Sequence, residues 1–200
     1  MMPTVMNYHR PVLLKESIDA LSIKSHGSYV DLTFGGGGHS MVILEQLKEG
    51  MLYAFDQDVD AAENANRINS KSFKFIKNNF RFADKLLKLH GVSQVDGILA
   101  DLGVSSHQID TPERGFSTRY EGALDMRMDQ DSSKSAQHII NKYSTEDLHK
   151  VFGMYGEVKN AKSLANAIVE SRSQKSIKTI EDLKDILKKR YSQVFVVRTL

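Results

Sequence analysis

The chain of 200 residues contains no cysteine and no tryptophan, and it has only three prolines. Without cysteine there is no disulfide scaffold, no thiolate zinc site and no cysteine nucleophile. Three prolines and 13 glycines leave little material for low-complexity linkers. No apolar run approaches the ~18–20 residues that a membrane helix requires. Met1 to Leu14 lack a long apolar core behind a basic start, so no secretory signal is read there. A cytoplasmic protein without a membrane partner is therefore expected. What is present is ordinary for a globular fold: 40% hydrophobic and 26% charged residues, which excludes a disordered tail, a collagen-like repeat and a membrane bundle. The length suits one domain with room for an inserted subdomain.

The net charge of +2 says little about partners, but its distribution says more. Residues 1–130 carry 14 Lys and Arg against 17 Asp and Glu, whereas residues 131–200 carry 13 against 8. A basic last third beside an acidic remainder is compatible with nucleic-acid contact. It is equally compatible with a solvated, lysine-rich helical surface.

Strand and helix patterns alternate four times. Pro11 opens a helix whose Leu14, Ile18 and Leu21 share one face. Tyr29 to Phe34 is a β-rich run that stops at four glycines, Gly35 to Gly38, and a helical pattern with Ile43, Leu44 and Leu47 follows. Met51 to Phe55 is a second strand ending in Asp56, Ala61 to Ile68 a helix, and Phe73 to Ile76 a third strand. Phe82 to Leu89 is a helix with Leu86 and Leu87 inward, and Val95 to Ala100 a fourth strand ending at Asp101. This order predicts an α/β fold with a Rossmann-like parallel sheet and helices on both faces. From Asp101 to about Gln130 the periodicity stops, in a stretch rich in Gly, Ser, Asp and Arg, as functional or disordered segments are. Helical patterns then resume. Ser144 and Asp147 have capping-box spacing before Leu148, Val151, Phe152 and Tyr155; Val158 to Ile168 forms a second stripe; Thr179 and Asp182 cap a third with Ile180, Leu183, Ile186 and Leu187. The expected division is a cofactor-binding domain over 1–130, a helical inserted subdomain over 131–190 and a tail over 191–200.

The strongest chemical signal is Asp31 to Ser40, a glycine turn between a strand and a helix. Residues without Cβ atoms let a ligand approach the backbone, and the helix start beyond offers unpaired N–H groups. Asp56 ends the next strand 21 positions after Gly35, where a carboxylate can accept both hydroxyls of a ribose. A tight turn and a strand-end cap would leave the same trace. The dinucleotide fingerprint G-x-G-x-x-G fails, because Ser40 stands where Gly35 and Gly37 call for a third glycine. Asp31 beside the loop repels a pyrophosphate and suits an ammonium group. S-adenosylmethionine, with its adenosine and amino-acid head, fits these features better than NAD does.

Several longer motifs now stand in order: His9 to Leu14, Phe34 to Ser40, Val95 to Ser106, Pro112 to Ser117, and Leu124 to Asp129. Together they resemble the bacterial 16S rRNA (cytosine-N4)-methyltransferase family, RsmH (MraW), over roughly residues 7–190. The resemblance implies S-adenosylmethionine-dependent methyl transfer to the exocyclic amine of a cytosine in the decoding region of small-subunit rRNA. It also implies a methyltransferase sheet interrupted by a helical insertion. By position it assigns Gly37, Gly38 and His39 to the cofactor loop, Asp56 to the ribose and Phe80 to the adenine, with Asp101 and Gln108 completing the cofactor site. With no cysteine and no clustered histidines, His39 is not expected to bind a metal.

A cytosine amine is a poor nucleophile, because its lone pair is delocalised into the ring, so it must be held in line with the methyl group. Asp101 at the end of the fourth strand is the candidate catalytic acceptor for its N–H. The base must also leave its stack, and Phe116 or Tyr120 could receive it. Arg114, Arg119 and Arg127 suit phosphate contacts, or serve equally to pin the loop. Where the family usually has proline this chain has His107, and Thr118 and Tyr120 depart from the family's stretch after Gly115. Family members run about a hundred residues further and complete a seven-stranded sheet, whereas Tyr191 to Leu200 do not align with that continuation. A C-terminally shortened product with an open fourth-strand edge and weak or absent turnover is therefore expected. Two rival readings remain: a non-catalytic RNA-binding remnant that uses its basic helices, and a nicotinamide-dependent oxidoreductase, which Ser40 disfavours.

Overall fold

A computed structural model describes residues 11–190. His9 and Arg10 of the first motif, and the 191–200 tail, lie outside the described residues. Packing divides the chain into two units, residues 11–103 with 128–130, and residues 104–127 with 131–190.

In the first unit, β1 (Ser28–Asp31), β2 (Met51–Asp56), β3 (Phe73–Lys77) and β4 (Gly97–Leu99) form one sheet in the order β3-β2-β1-β4. Every pair is parallel, with Asp31 opposite Ala54 and Leu99, and Asp56 opposite Lys77. Strands covered on both faces need no polar alternation, and β2 accordingly reads Leu52-Tyr53-Ala54-Phe55. On one face Tyr29 and Leu52 pack with Ile18 of α1 (Leu14–Leu21) and Ile43 of α2 (Gly38–Gln46). Ala54 packs with Ala61 and Ala65 of α3 (Val59–Ala65). On the other face Val30, Tyr53 and Phe55 pack with Leu87 of α4 (Ala83–Leu89). The fold is α/β, with a parallel four-stranded sheet and helices on both faces. β1 ends at Asp31, three residues before the sequence pattern does, because the chain bends there into the glycine turn. The contacts continue past it: the Leu32 N–H donates to the Leu99 carbonyl and the Phe34 N–H to the Phe55 carbonyl.

The second unit comprises α5 (Ser106–Asp110), a 3₁₀ turn (Pro112–Arg114), α6 (Ala136–Lys142), α7 (Thr145–Lys150), α8 (Ala161–Gln174) and α9 (Ile180–Arg190). Its core gathers Leu124, Ile140, Leu148, Leu164, Ile168 and Ile180. The expected domain boundary near residue 130 differs from this packing, which groups 104–127 with the helices. The reason is a set of backbone bonds that no local pattern displays. Leu124 N–H donates to the Lys178 carbonyl, Ile180 N–H to Gly122, and Gln137 N–H to Leu124, while Ala123 bridges Thr179. Both predicted caps are present: the Ser144 hydroxyl accepts the Asp147 N–H at 3.1 Å, and the Thr179 hydroxyl accepts that of Asp182 at 3.1 Å. Tyr155 departs from its predicted stripe and is 81% exposed. It closes a π-helical turn, Val151–Tyr155, whose wider winding carries it off the apolar face. Among the described residues no helix is long and apolar enough to cross a membrane.

Candidate functional site

In the first unit the strand order reverses between β1 and β4, and on sheets of this kind ligands bind outside the C-terminal ends at that reversal. The turn after β1 and the segment after β4 both lie there. Asp31 and Asp56 are the last residues of β1 and β2, and Asp101 follows β4 by two positions.

The glycine turn and the acid 21 positions later are in direct contact: the Gly35 N–H donates to Asp56 Oδ2 at 2.8 Å. The Asp58 N–H donates to the other carboxylate oxygen at 3.0 Å, and the Asn64 amide reaches the Gly35 carbonyl at 3.4 Å. Burial pushes the Asp56 carboxyl above its ordinary range, against the pull of these backbone donors. Gly37 caps α2 with φ 80. A Cβ there would lie 2.8 Å from the Phe34 ring, which is itself wedged against Phe73 and Phe75 at centroid distances of 5.7 and 5.3 Å. Only glycine fits beneath that ring.

His39, in the first turn of α2, is 6% exposed, and its Nε2 has no hydrogen-bond partner among the described residues. A buried polar atom in that state is one whose partner a ligand can supply. Phe80 opens a 3₁₀ turn after β3 and is 40% exposed, so it is not a core residue. The Asn79 amide ties this turn to Gln57 after β2 at 2.9 Å. Asp101 is exposed, and its backbone N–H donates to Thr33 Oγ1 at 2.8 Å.

Asp31 is a correction. The sequence reading offers its carboxylate to an ammonium group, whereas the residue is 1% exposed and the carboxylate holds the turn together. Ser40 Oγ donates to Oδ2 at 2.7 Å, and the Thr33 N–H to Oδ1 at 3.0 Å. Burial raises its carboxyl above the ordinary range. Thr33 and the buried Asp58, which caps α3, were not singled out by sequence reasoning, and Ser40 figures there only as the break in the dinucleotide fingerprint. The Asp31-x-Thr33 spacing is the one local signal for this network, since a carboxylate readily accepts the N–H two residues on.

In the second unit Gln108 is buried and forms a capping box with Ser105, its Oε1 accepting the Ser105 N–H at 3.0 Å. The arginines expected to meet phosphate separate into two kinds. Arg114 is buried and donates to the Arg127 carbonyl at 2.9 Å, with its guanidinium 5.8 Å from the Phe116 ring centroid. Arg127 forks onto Asp125 at 2.9 and 2.7 Å and also reaches the Ser132 carbonyl, and that fork holds the Asp125 carboxyl below its ordinary range. Both pin the loop. Arg119 is exposed, pairs with Asp110 at 3.3 Å and lies 5.8 Å from the ring of Tyr120, which is itself exposed. Phe116 is half-buried.

Residues 6–198 match the MraW methylase family. The chain is 56% identical over 197 residues to the ribosomal RNA small subunit methyltransferase H of Cytophaga hutchinsonii, covering 94% of this chain and 66% of that protein. It is 55% identical over 189 residues to that of Flavobacterium johnsoniae, covering 94% and 62%. For the protein of the same name from Bacteroides thetaiotaomicron the figures are 51% over 184 residues, 92% and 60%. The chain thus spans about three-fifths to two-thirds of the length of these curated relatives. A sheet reversing at β1, a glycine turn bonded to the acid that ends β2, and a match running almost end to end lead to one conclusion: this chain belongs to the MraW methylase family.

Proposed function

We propose that the chain binds S-adenosylmethionine at the β1/β4 reversal and serves methyl transfer to the N4 amine of a cytosine in 16S rRNA, within the small ribosomal subunit in the cytoplasm. The observation that carries this reading is the 2.8 Å bond from the Gly35 N–H to Asp56. It sets the carboxylate that we assign to the ribose against the glycine turn that leads into α2.

Backbone N–H groups of Gly38 and His39 at the start of α2, and the unpartnered His39 Nε2, hold the amino-acid head. The free lone pairs of Asp56 accept the ribose hydroxyls, and the exposed Phe80 ring stacks on the adenine. Asp101 stands at the same end of the sheet, and the family resemblance implies a cofactor contact for Gln108 as well. Bound there, S-adenosylmethionine supplies a methyl carbon made electrophilic by the adjacent sulfonium. Asp101 would accept an N–H of the target amine, orient the nitrogen lone pair and receive the proton released as the N–C bond forms and the methyl–sulfur bond breaks, a neutral thioether being the leaving group. Phe116 and Tyr120 offer ring faces to the unstacked base, and Arg119 a phosphate contact.

Calorimetric titration with S-adenosylmethionine tests the cofactor half. Saturable heat that weakens in Asp56→Ala is expected, and an absence of heat would favour an RNA-binding remnant. The transfer half is tested on small subunits from a strain lacking the modification, with Asp101→Ala as the control expected to lose incorporation.

A further inference from the structure

The hydroxyl of Thr33 stands between two parts of the proposed site. It accepts the Asp101 backbone N–H at 2.8 Å and donates to Asp31 Oδ1 at 3.4 Å, while the Thr33 N–H donates to that same oxygen at 3.0 Å. The other oxygen of Asp31 accepts Ser40 Oγ at 2.7 Å. Asp31 and Ser40 are both essentially inaccessible to solvent. A continuous chain of bonds therefore runs from the first turn of α2, through a buried carboxylate, to the exposed backbone just beyond β4. The regular β1–β4 pairing ends at Asp31 opposite Leu99, so nothing in the sheet ladder itself holds Asp101.

We infer that Thr33 is a positioning residue, whose hydroxyl tethers the Asp101 backbone to the buried Asp31–Ser40 pair and so sets where the Asp101 carboxylate stands. The inference rests on the methyl-transfer reading above for its catalytic consequence, and on geometry alone for the tether. A hydroxyl that donates and accepts at once, anchored on a group unable to move, transmits position better than a bond to a solvated side chain. The segment after β4 would otherwise be exposed backbone ending in Gly103 with φ 148, free to sample other conformations.

Three variants separate the hydroxyl from the shape of the side chain. Thr33→Val keeps the branched shape without the hydroxyl, Thr33→Ser keeps the hydroxyl, and Thr33→Ala serves if Val does not fold. Amide hydrogen exchange at Asp101 in the full chain reads the tether directly. Protection there is expected to fall tenfold or more in Val and Ala and to be retained in Ser; equal protection in all of them overturns the inference. On small subunits, Val is expected to lower kcat about tenfold with the KM for S-adenosylmethionine within about twofold of the parent, and Ser to restore kcat. Lost protection with unchanged kcat, or equal loss of kcat in Val and Ser, overturns it too. A parent chain that transfers no methyl group sinks the functional reading instead, and the exchange measurement then decides the tether by itself.

Discussion

At Gly37 the backbone sits at φ 80 with the Phe34 ring directly over the missing side chain. Alanine there meets two penalties, a left-handed backbone conformation and a ring that neighbouring rings prevent from moving. Gly37→Ala is expected to cost about 1–3 kcal/mol, read as a lowered urea midpoint, and to weaken S-adenosylmethionine binding by calorimetry. Asp56 is the complementary case. Asp56→Asn keeps an oxygen for the Gly35 N–H but removes the charge that strengthens bonds from ribose hydroxyls. At roughly 1.5–3 kcal/mol for a charged acceptor, affinity should fall about 10- to 100-fold with little change in fold, and an unchanged affinity would remove Asp56 from the site. Both residues were legible in the sequence because strand, turn, helix and strand follow one another directly along the chain. Asp31 was misread for the opposite reason. Its partners Thr33 and Ser40 are near in sequence, but whether a carboxylate turns inward or toward a ligand is decided by packing, which spacing does not encode.

Among the elements, α9 shows how a cap can be tested by pH. The Asp182 carboxylate accepts backbone N–H groups of Lys178 and Thr179 and an ammonium hydrogen of Lys175, and these bonds, that of Lys178 foremost, hold it down at about 2 against an ordinary 3.8. The folded-state value lies below the unfolded one, so the stabilisation is present above about pH 4 and is lost as pH falls through 2. Asp182→Asn should therefore destabilise the chain near neutrality, by about 1 kcal/mol for a cap. Followed by circular dichroism, the difference should shrink steadily from pH 4 to 2; a difference independent of pH would deny the carboxylate that role. The strands and long helices were readable because each buries a regular set of apolar residues. α6 was not read, since its one buried residue, Ile140, leaves little periodic trace. The stretch after β4 looked structureless for a related reason: its order comes from bonds to the region just before α9, more than fifty positions away.

For the molecule as a whole, the excess of basic residues in the last third overstates the charge offered to RNA. Lys184 and Lys188 both pair with Glu181, Lys188 also with Asp185, and Lys175 with Asp182. Binding to small-subunit RNA should consequently depend only modestly on salt. A slope of roughly 2–3 in log Kd against log salt is expected, at ~0.7–0.9 per phosphate, and Arg119→Ala should reduce it by about one such step. Filter binding between about 50 and 200 mM salt measures it, and a slope near 6 would show that the paired lysines exchange their carboxylates for phosphates. The parallel sheet has a consequence of its own in time. Tyr29 of β1 stands beside Gly97 of β4, 68 positions further along. At a synthesis rate of about 5–20 residues per second, that neighbour leaves the ribosome roughly 3–14 s later. Until then β1, the earliest of the described strands to be made, has a partner on one side only, and it is among the last of them to be finished.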